Sequence, residues 1–142
     1  MVSCYLLSNN RLRFFQVLEP SIRTMNYAKQ FYNLDQFLGG YFHQDWVYVF
    51  DWKGKKPNFE DVVRYYRQEQ HPDYLAKVIN ELQAFLELPL SEDQLKKILS
   101  REFYVAYSPH RFNITIRYWL ERILDILEGK NDSGNTNISW KG

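Results

Sequence analysis

The chain has 142 residues, 45% hydrophobic and 25% charged, with a formal net charge of +1 at pH 7; this suits one soluble globular domain and excludes the strongly basic field of a protein that binds duplexes by neutralising many phosphates. Its single cysteine, Cys4, excludes an internal disulfide and a thiolate cluster for zinc. The longest apolar runs fall well short of the roughly 18 residues of a bilayer span, and MVSCYLLSNNRLRFF lacks the order of a secretory signal, so a cytoplasmic protein is expected.

Residues 1–24 stand apart. SCYLL and LRFFQVL are β-prone runs separated by the turn-like SNNR, which reads as a small hairpin. They read equally as an upstream extension if translation starts at Met25; leaving out Arg11, Arg13 and Arg23 together with Glu19 takes the net charge from +1 to −1. Helical periodicity then begins. Leu34, Phe37, Leu38, Tyr41 and Phe42 share one face, with Asn33 placed as N-cap. VYVFDW, residues 47–52, is β-branched and aromatic and reads as extended, and KGKKP is a polar loop. A second helix starts at the cap Asn58, with Asp61 in its first turn and Phe59, Val62, Val63 and Tyr66 as its stripe. His71-Pro72 interrupts it and opens a third helix, Pro72 to Glu87. Ser91 with Gln94 forms the capping box of a fourth. After the irregular REFYVAYSPHR, residues Ile116, Trp119, Leu120, Ile123, Leu124 and Leu127 define a fifth, closed by Gly129.

The expected fold is therefore mainly α, a single compact domain of about five helices, with a short hairpin or extended segments at the N-terminus and near residues 47–52. The segments are an N-terminal extension (1–24), a helical domain (25–129) and a polar C-terminal tail (130–142).

The stretch LDQFLGGYFHQDW concentrates the unusual residues. His43 and Asp45 are the composition of an oriented general base, which would make the chain a small hydrolase. Residues two apart do not face each other on a helix, so the reading favoured here is that they satisfy local backbone groups or one another. His43, His71 and His110 match no metal-ligand spacing, and no metal or cofactor is implied. Gly39-Gly40 lacks the lysine and spacing of a phosphate loop and reads instead as a site where another backbone or ring comes close. Trp46, Tyr48 and Trp52 beside Asp45 and Asp51 have the composition of interface anchors, and equally that of core rings. The charged face of FEDVVRYYRQEQ reads first as a solvated face and second as a binding face. A binding protein is favoured over an enzyme, and a helical adaptor module remains a second alternative beside the hydrolase.

LDQFLGGYFHQDW closely resembles the signature of a family of bacterial contact-dependent growth inhibition (CDI) immunity proteins, whose members open with a helix reading like LxxLLGxYFHQDW. FEDVVRYYRQ, LAKVINELQAFLEL, LSEDQLKKIL and RYWLERILDILE are similar to that family in order and spacing, so the resemblance covers about residues 33 to 128. It implies a cytoplasmic protein that is not an enzyme and that binds the C-terminal toxin domain of a cognate effector. Such toxins are commonly nucleases. The expected complex is 1:1 with a monomer, without direct contact to nucleic acid or membrane. In that family Gly39, Gly40, Tyr41, Phe42, His43, Gln44, Asp45 and Trp46 look like a fold signature rather than a catalytic centre. Toxin contacts are expected from the loop and helix that follow, at Asp51, Trp52, Glu60, Asp61, Arg64 and Arg67, since specificity belongs to exposed residues outside a signature. Where relatives carry an acidic segment after HQDW, this chain has VYVFDWKGKKPN, which argues against generic charge mimicry of nucleic acid.

Overall fold

In the computed structural model, residues 26–132 and 134–141 are described; the hairpin or extension expected over 1–24 lies outside them. Helices α1 (Tyr27–Gln30), α2 (Tyr32–Tyr41), α3 (Phe59–Glu69), α4 (Pro72–Leu86), α5 (Glu92–Arg101) and α6 (Ile116–Glu128) are joined by a two-stranded antiparallel sheet, β1 (Phe50–Asp51) with β2 (Ser139–Trp140). The register pairs Phe50 with Trp140 and Asp51 with Ser139. The mainly helical expectation holds, with one short helix more than the periodicity shows.

α6 is the axis of the packing. Ile116, Trp119, Leu120, Ile123, Ile126 and Leu127 are all buried, and α3, α4 and α5 pack on it while α2 packs on α4. The Thr115 side chain accepts the Tyr118 N–H at its start. At its end Gly129, at φ +77°, donates to Ile126 O, and the Lys130 N–H reaches back to Asp125 O, the paired bonds of a Schellman closure. The centre is aromatic: Trp119, Phe37, Phe42, Phe50, Phe85 and Phe103 are almost wholly removed from solvent, and T-shaped pairs such as Phe42–Trp119, with centroids 5.1 Å apart, set their mutual angles.

Several helix starts depend on carboxylates from other helices. Asn33 is not the cap expected from its position, because α1 runs through Phe31 into α2 and leaves Asn33 inside the helix. Its amide donates to Glu81 Oε2 at 2.6 Å, and Glu81 Oε1 takes the Leu34 N–H at 2.9 Å. Glu102 likewise accepts the Tyr27 and Ala28 N–H groups of α1, and Glu92 those of Ile116 and Arg117 in α6. Burial works to raise the Glu92 carboxyl, but those two backbone donors and His110 outweigh it and hold it low. Each of these side chains supplies orphan amides with the negative charge that a helix N-terminus favours.

Two other expectations change. Residues 44–49 form turns, with Trp46 N–H donating to His43 O and Tyr48 N–H to Asp45 O, so only the end of VYVFDW is extended. The polar tail is built into the fold: Ile138 is buried, Thr136 nearly so, and Trp140 packs edge-on against Phe50 at 5.3 Å. Two apolar residues in a polar segment suffice because β1 offers a free edge for them to pair with.

The two signature glycines differ. A Cβ on Gly39 would lie 2.6 Å from the carbonyl oxygen of Phe103, whereas one on Gly40 would meet nothing within 4 Å. The segment from Phe103 to Tyr107 runs against the end of α2, and Ala106 and Tyr107 donate N–H groups to Phe42 O at 2.8 and 3.3 Å. Gly39→Ala is expected to destabilise the fold by about 1–3 kcal/mol through overpacking, while Gly40→Ala is expected to be neutral or to stabilise by up to about 1 kcal/mol through helix propensity. Urea denaturation of the two variants beside the wild type measures both, and equal effects would contradict the close approach at Gly39.

Candidate functional site

The signature residues form the end of α2 and the turn after it. Phe42 is fully buried and ends the helix by donating its N–H to Leu38 O. His43 Nδ1 then accepts the N–H of Asp45 at 3.0 Å, an arrangement that shapes the turn and spends the imidazole acceptor locally. Trp46 packs against Tyr107 at 5.4 Å and edge-on against Trp52 at 5.9 Å. Tyr41 lies between Phe50, Tyr66 and Trp140, and Gln44 and Asp45 are exposed. The other histidines also have local roles. His71 Nδ1 accepts the Asp73 N–H as the N-cap of α4, and His110 Nε2 lies 3.1 Å from Glu92 Oε1. Among the described residues no group of three or more potential metal ligands converges.

The residues expected to contact a partner fall into two sets. Asp51 is exposed, with its side chain accepting the Lys53 N–H at 3.0 Å; Trp52 is half-buried, its indole N–H held by Val47 O at 2.8 Å. Glu60, Asp61, Arg64 and Arg67 instead come together on α3 in an ionic network that sequence reasoning did not show. At its centre is Asp132, whose side chain is 3% exposed. It receives Arg64 Nη2 at 2.8 Å, Arg67 Nη1 at 3.0 Å and Arg122 Nη2 at 3.4 Å. Asp61, 5% exposed, is held by Arg64 at 2.9 Å and Lys55 at 3.1 Å, and Glu60 by Arg122 at 2.8 Å. Arg67 also donates to Ile126 O at 2.9 Å and to Gly134 O, and the Gln68 side chain pairs with both backbone groups of Thr136. The network thus fastens the C-terminal segment and α6 to α3. The available sequence signal was the i, i+3 placement of Arg64 and Arg67, which puts two cations on one helix face.

The Arg64 guanidinium, then Arg67, hold the Asp132 carboxyl below the usual carboxylate range. Burial pushes Asp61 up, but hydrogen bonds from Asn58, Arg64 and Lys55 prevail and lower it.

Beside this network lies a groove of about 390 Å³, floored by Trp46, Phe59 and Tyr107 and walled by Phe112 and Tyr118. Lys56, Glu60 and Arg122 form its charged rim. Tyr107 is the middle of a stack, over Trp119 at 5.1 Å and under Phe112 at 5.5 Å, with ring planes 15° and 6° apart. Burial, then the Glu60 charge, push the Tyr107 phenol up to about 12, so it stays neutral throughout the physiological range. A second cleft, of about 300 Å³, is lined by Tyr32, Tyr41, Tyr66, Tyr74 and the amides of Asn33 and Gln36.

Asp132→Asn keeps the shape of the side chain and removes the charge shared by three arginines. It is expected to cost about 2–3 kcal/mol, between the limits for exposed and buried pairs. Because Asp61 and Asp132 have lower pKa values folded than unfolded, the stability they contribute is present above about pH 4 and is lost as the pH falls through their folded values. Denaturation midpoints from pH 6 to pH 2 should show a shallower acid decline in Asp132→Asn than in the wild type; parallel declines would mean that the Asp132 charge does not hold the fold.

A family model described as CdiI immunity protein matches residues 30–127, from the end of α1 to the last turn of α6. The crystal structure of the CdiA-CT/CdiI complex from Y. kristensenii 33638 contains a chain similar to this one at 22% identity and a TM-score of 0.59, covering 73% of this chain and 99% of that one. That likeness is one of fold. None of the curated proteins matches the chain. With the family match spanning well over half of its residues and every helix from α2 to α6, the chain belongs to the CdiI immunity protein family.

Proposed function

We propose that this protein binds the C-terminal toxin domain of its cognate contact-dependent growth inhibition effector and neutralises it by occupying it one to one. The observation that carries this reading is the family match across residues 30–127. The similar fold of a chain in a CdiA-CT/CdiI complex supports it. In this reading the protein acts in the cytoplasm as a monomer, has no catalytic activity of its own, and stops a nuclease. Asp51, Trp52 and Glu60 contact the toxin, while Asp61, Arg64 and Arg67 act by holding α3 and the C-terminal segment in place. The geometry of the signature supports a binding protein over a hydrolase, since the His43 ring accepts the Asp45 backbone N–H and so shapes its own turn. A stoichiometric inhibitor of a catalytic toxin must leave almost none of it free, so a dissociation constant of nanomolar or below is expected, corresponding to about 12 kcal/mol or more.

The test is growth protection. A sensitive strain expressing the toxin domain encoded beside this gene is expected to survive, with intact nucleic acid, only when this chain is co-expressed, and equally when translation starts at Met25. Death despite folded, abundant protein would overturn the immunity reading for that pair. His43→Ala removes one local hydrogen bond and should lower stability by about 1 kcal/mol while retaining protection. Protection lost by a folded His43→Ala protein would favour the hydrolase alternative.

A further inference from the structure

Phe112 and Tyr118 are 59% and 54% exposed, whereas Trp119, Phe37, Phe42, Phe50, Phe85 and Phe103 are almost completely buried. Phe112 is not displayed by a loose loop. It ends a 3-10 turn, Pro109–Phe112, in which Arg111 N–H donates to Ser108 O and Asn113 N–H to His110 O, with Asn113 at φ +61°. The turn is braced through His110 to Glu92, the same carboxylate that caps α6. Phe112 also lies flat on Tyr107, so its outer face is presented to solvent on a stack whose base, Trp119, is buried. An exposed ring held in one geometry, with a second exposed ring, Tyr118, lining the same groove, is the makings of an interface anchor, because little of the Phe112 side-chain freedom is left to lose on binding.

The charges around this groove are unequal. Glu60 is taken up by Arg122 at 2.8 Å. Lys56 is exposed, and among the described residues its ammonium makes no ion pair. The rim therefore presents one uncompensated cation beside an apolar floor.

Building on the immunity reading, we propose that this groove receives a segment of the toxin domain that presents an apolar side chain with a carboxylate next to it. The apolar group fills the space between Phe112, Tyr118 and Phe59, and the carboxylate meets Lys56. A basic segment does not fit, since Lys56 would repel it while Glu60 is already paired with Arg122. The tyrosine cleft between α2 and α4 lacks any such charge asymmetry and serves as the comparison face.

The experiment measures the dissociation constant of the full chain for the purified toxin domain encoded beside its gene, by calorimetry or surface capture, with melting curves for every variant. Phe112→Ala and Tyr118→Ala are each expected to weaken the complex at least tenfold, and Lys56→Glu at least tenfold with a slower association rate. Tyr74→Ala, in the comparison cleft, is expected to change it less than threefold. Tyr118→Ala and Lys56→Glu alter exposed side chains, so they keep the test valid if Phe112→Ala loosens its turn. Wild-type affinity in Phe112→Ala and Tyr118→Ala, with protection intact, would overturn the groove and leave the immunity reading standing. A tighter complex with Lys56→Glu would overturn the acidic character of the segment. A wild-type chain that does not bind the toxin domain would overturn both readings together.

Discussion

Burial of α6 is the constraint from which the other contacts follow. A helix with Ile116, Trp119, Leu120, Ile123, Ile126 and Leu127 all removed from water presents apolar surface over a wide arc, and α3, α4 and α5 pack on it. Several of its polar groups are matched from outside, although the buried Trp119 indole N–H has no partner among the described residues. The first amides are taken by Glu92 of α5, a terminal carbonyl by Arg67 of α3, and Arg122 by Glu60 and Asp132. Since unmatched buried polar groups cost more than matched ones gain, each of these pairings also fixes the position of the element that supplies it. The network on α3 is thus a consequence of burying a helix that carries an arginine near its middle.

The same reasoning explains why LGGYFHQDW contains such varied residues. Gly39 is small because the Phe103 carbonyl lies against it, Phe42 is apolar because it packs edge-on against Trp119, and His43 shapes the turn through the Asp45 amide. Trp46 then carries the chain back across Tyr107. These residues answer separate local demands, and the demands lie close in sequence because a helix end, a tight turn and a backbone crossing coincide there.

Scaffold and presented surface are linked through a few shared groups. Glu92 caps α6 and braces the turn that carries Phe112. Arg122 joins the network to the rim of the aromatic groove, and Tyr107 joins the core stack to its floor. A surface supported in this way stays in one conformation, which limits the entropy lost when a partner docks.

The sequence by itself determined the helical class, the positions of the five longer helices and most of their buried faces, missing Phe85 and Ile126, because a period of 3.6 residues and caps such as Asn58, Ser91 and Gly129 act within a few residues of the chain. It also pointed to Gly39-Gly40 as a place of close approach, without distinguishing the two. Tertiary structure decided what depends on groups distant in sequence: Glu102 capping α1 across 75 positions, Glu81 replacing Asn33 as the cap of α2 across 47, and Arg64 meeting Asp132 across 68. It also turned a polar tail into a strand and an anchor for three arginines. Periodicity records which side of a helix avoids water; it does not record which charge arrives to satisfy an amide or a guanidinium, because that is set by how the helices pack.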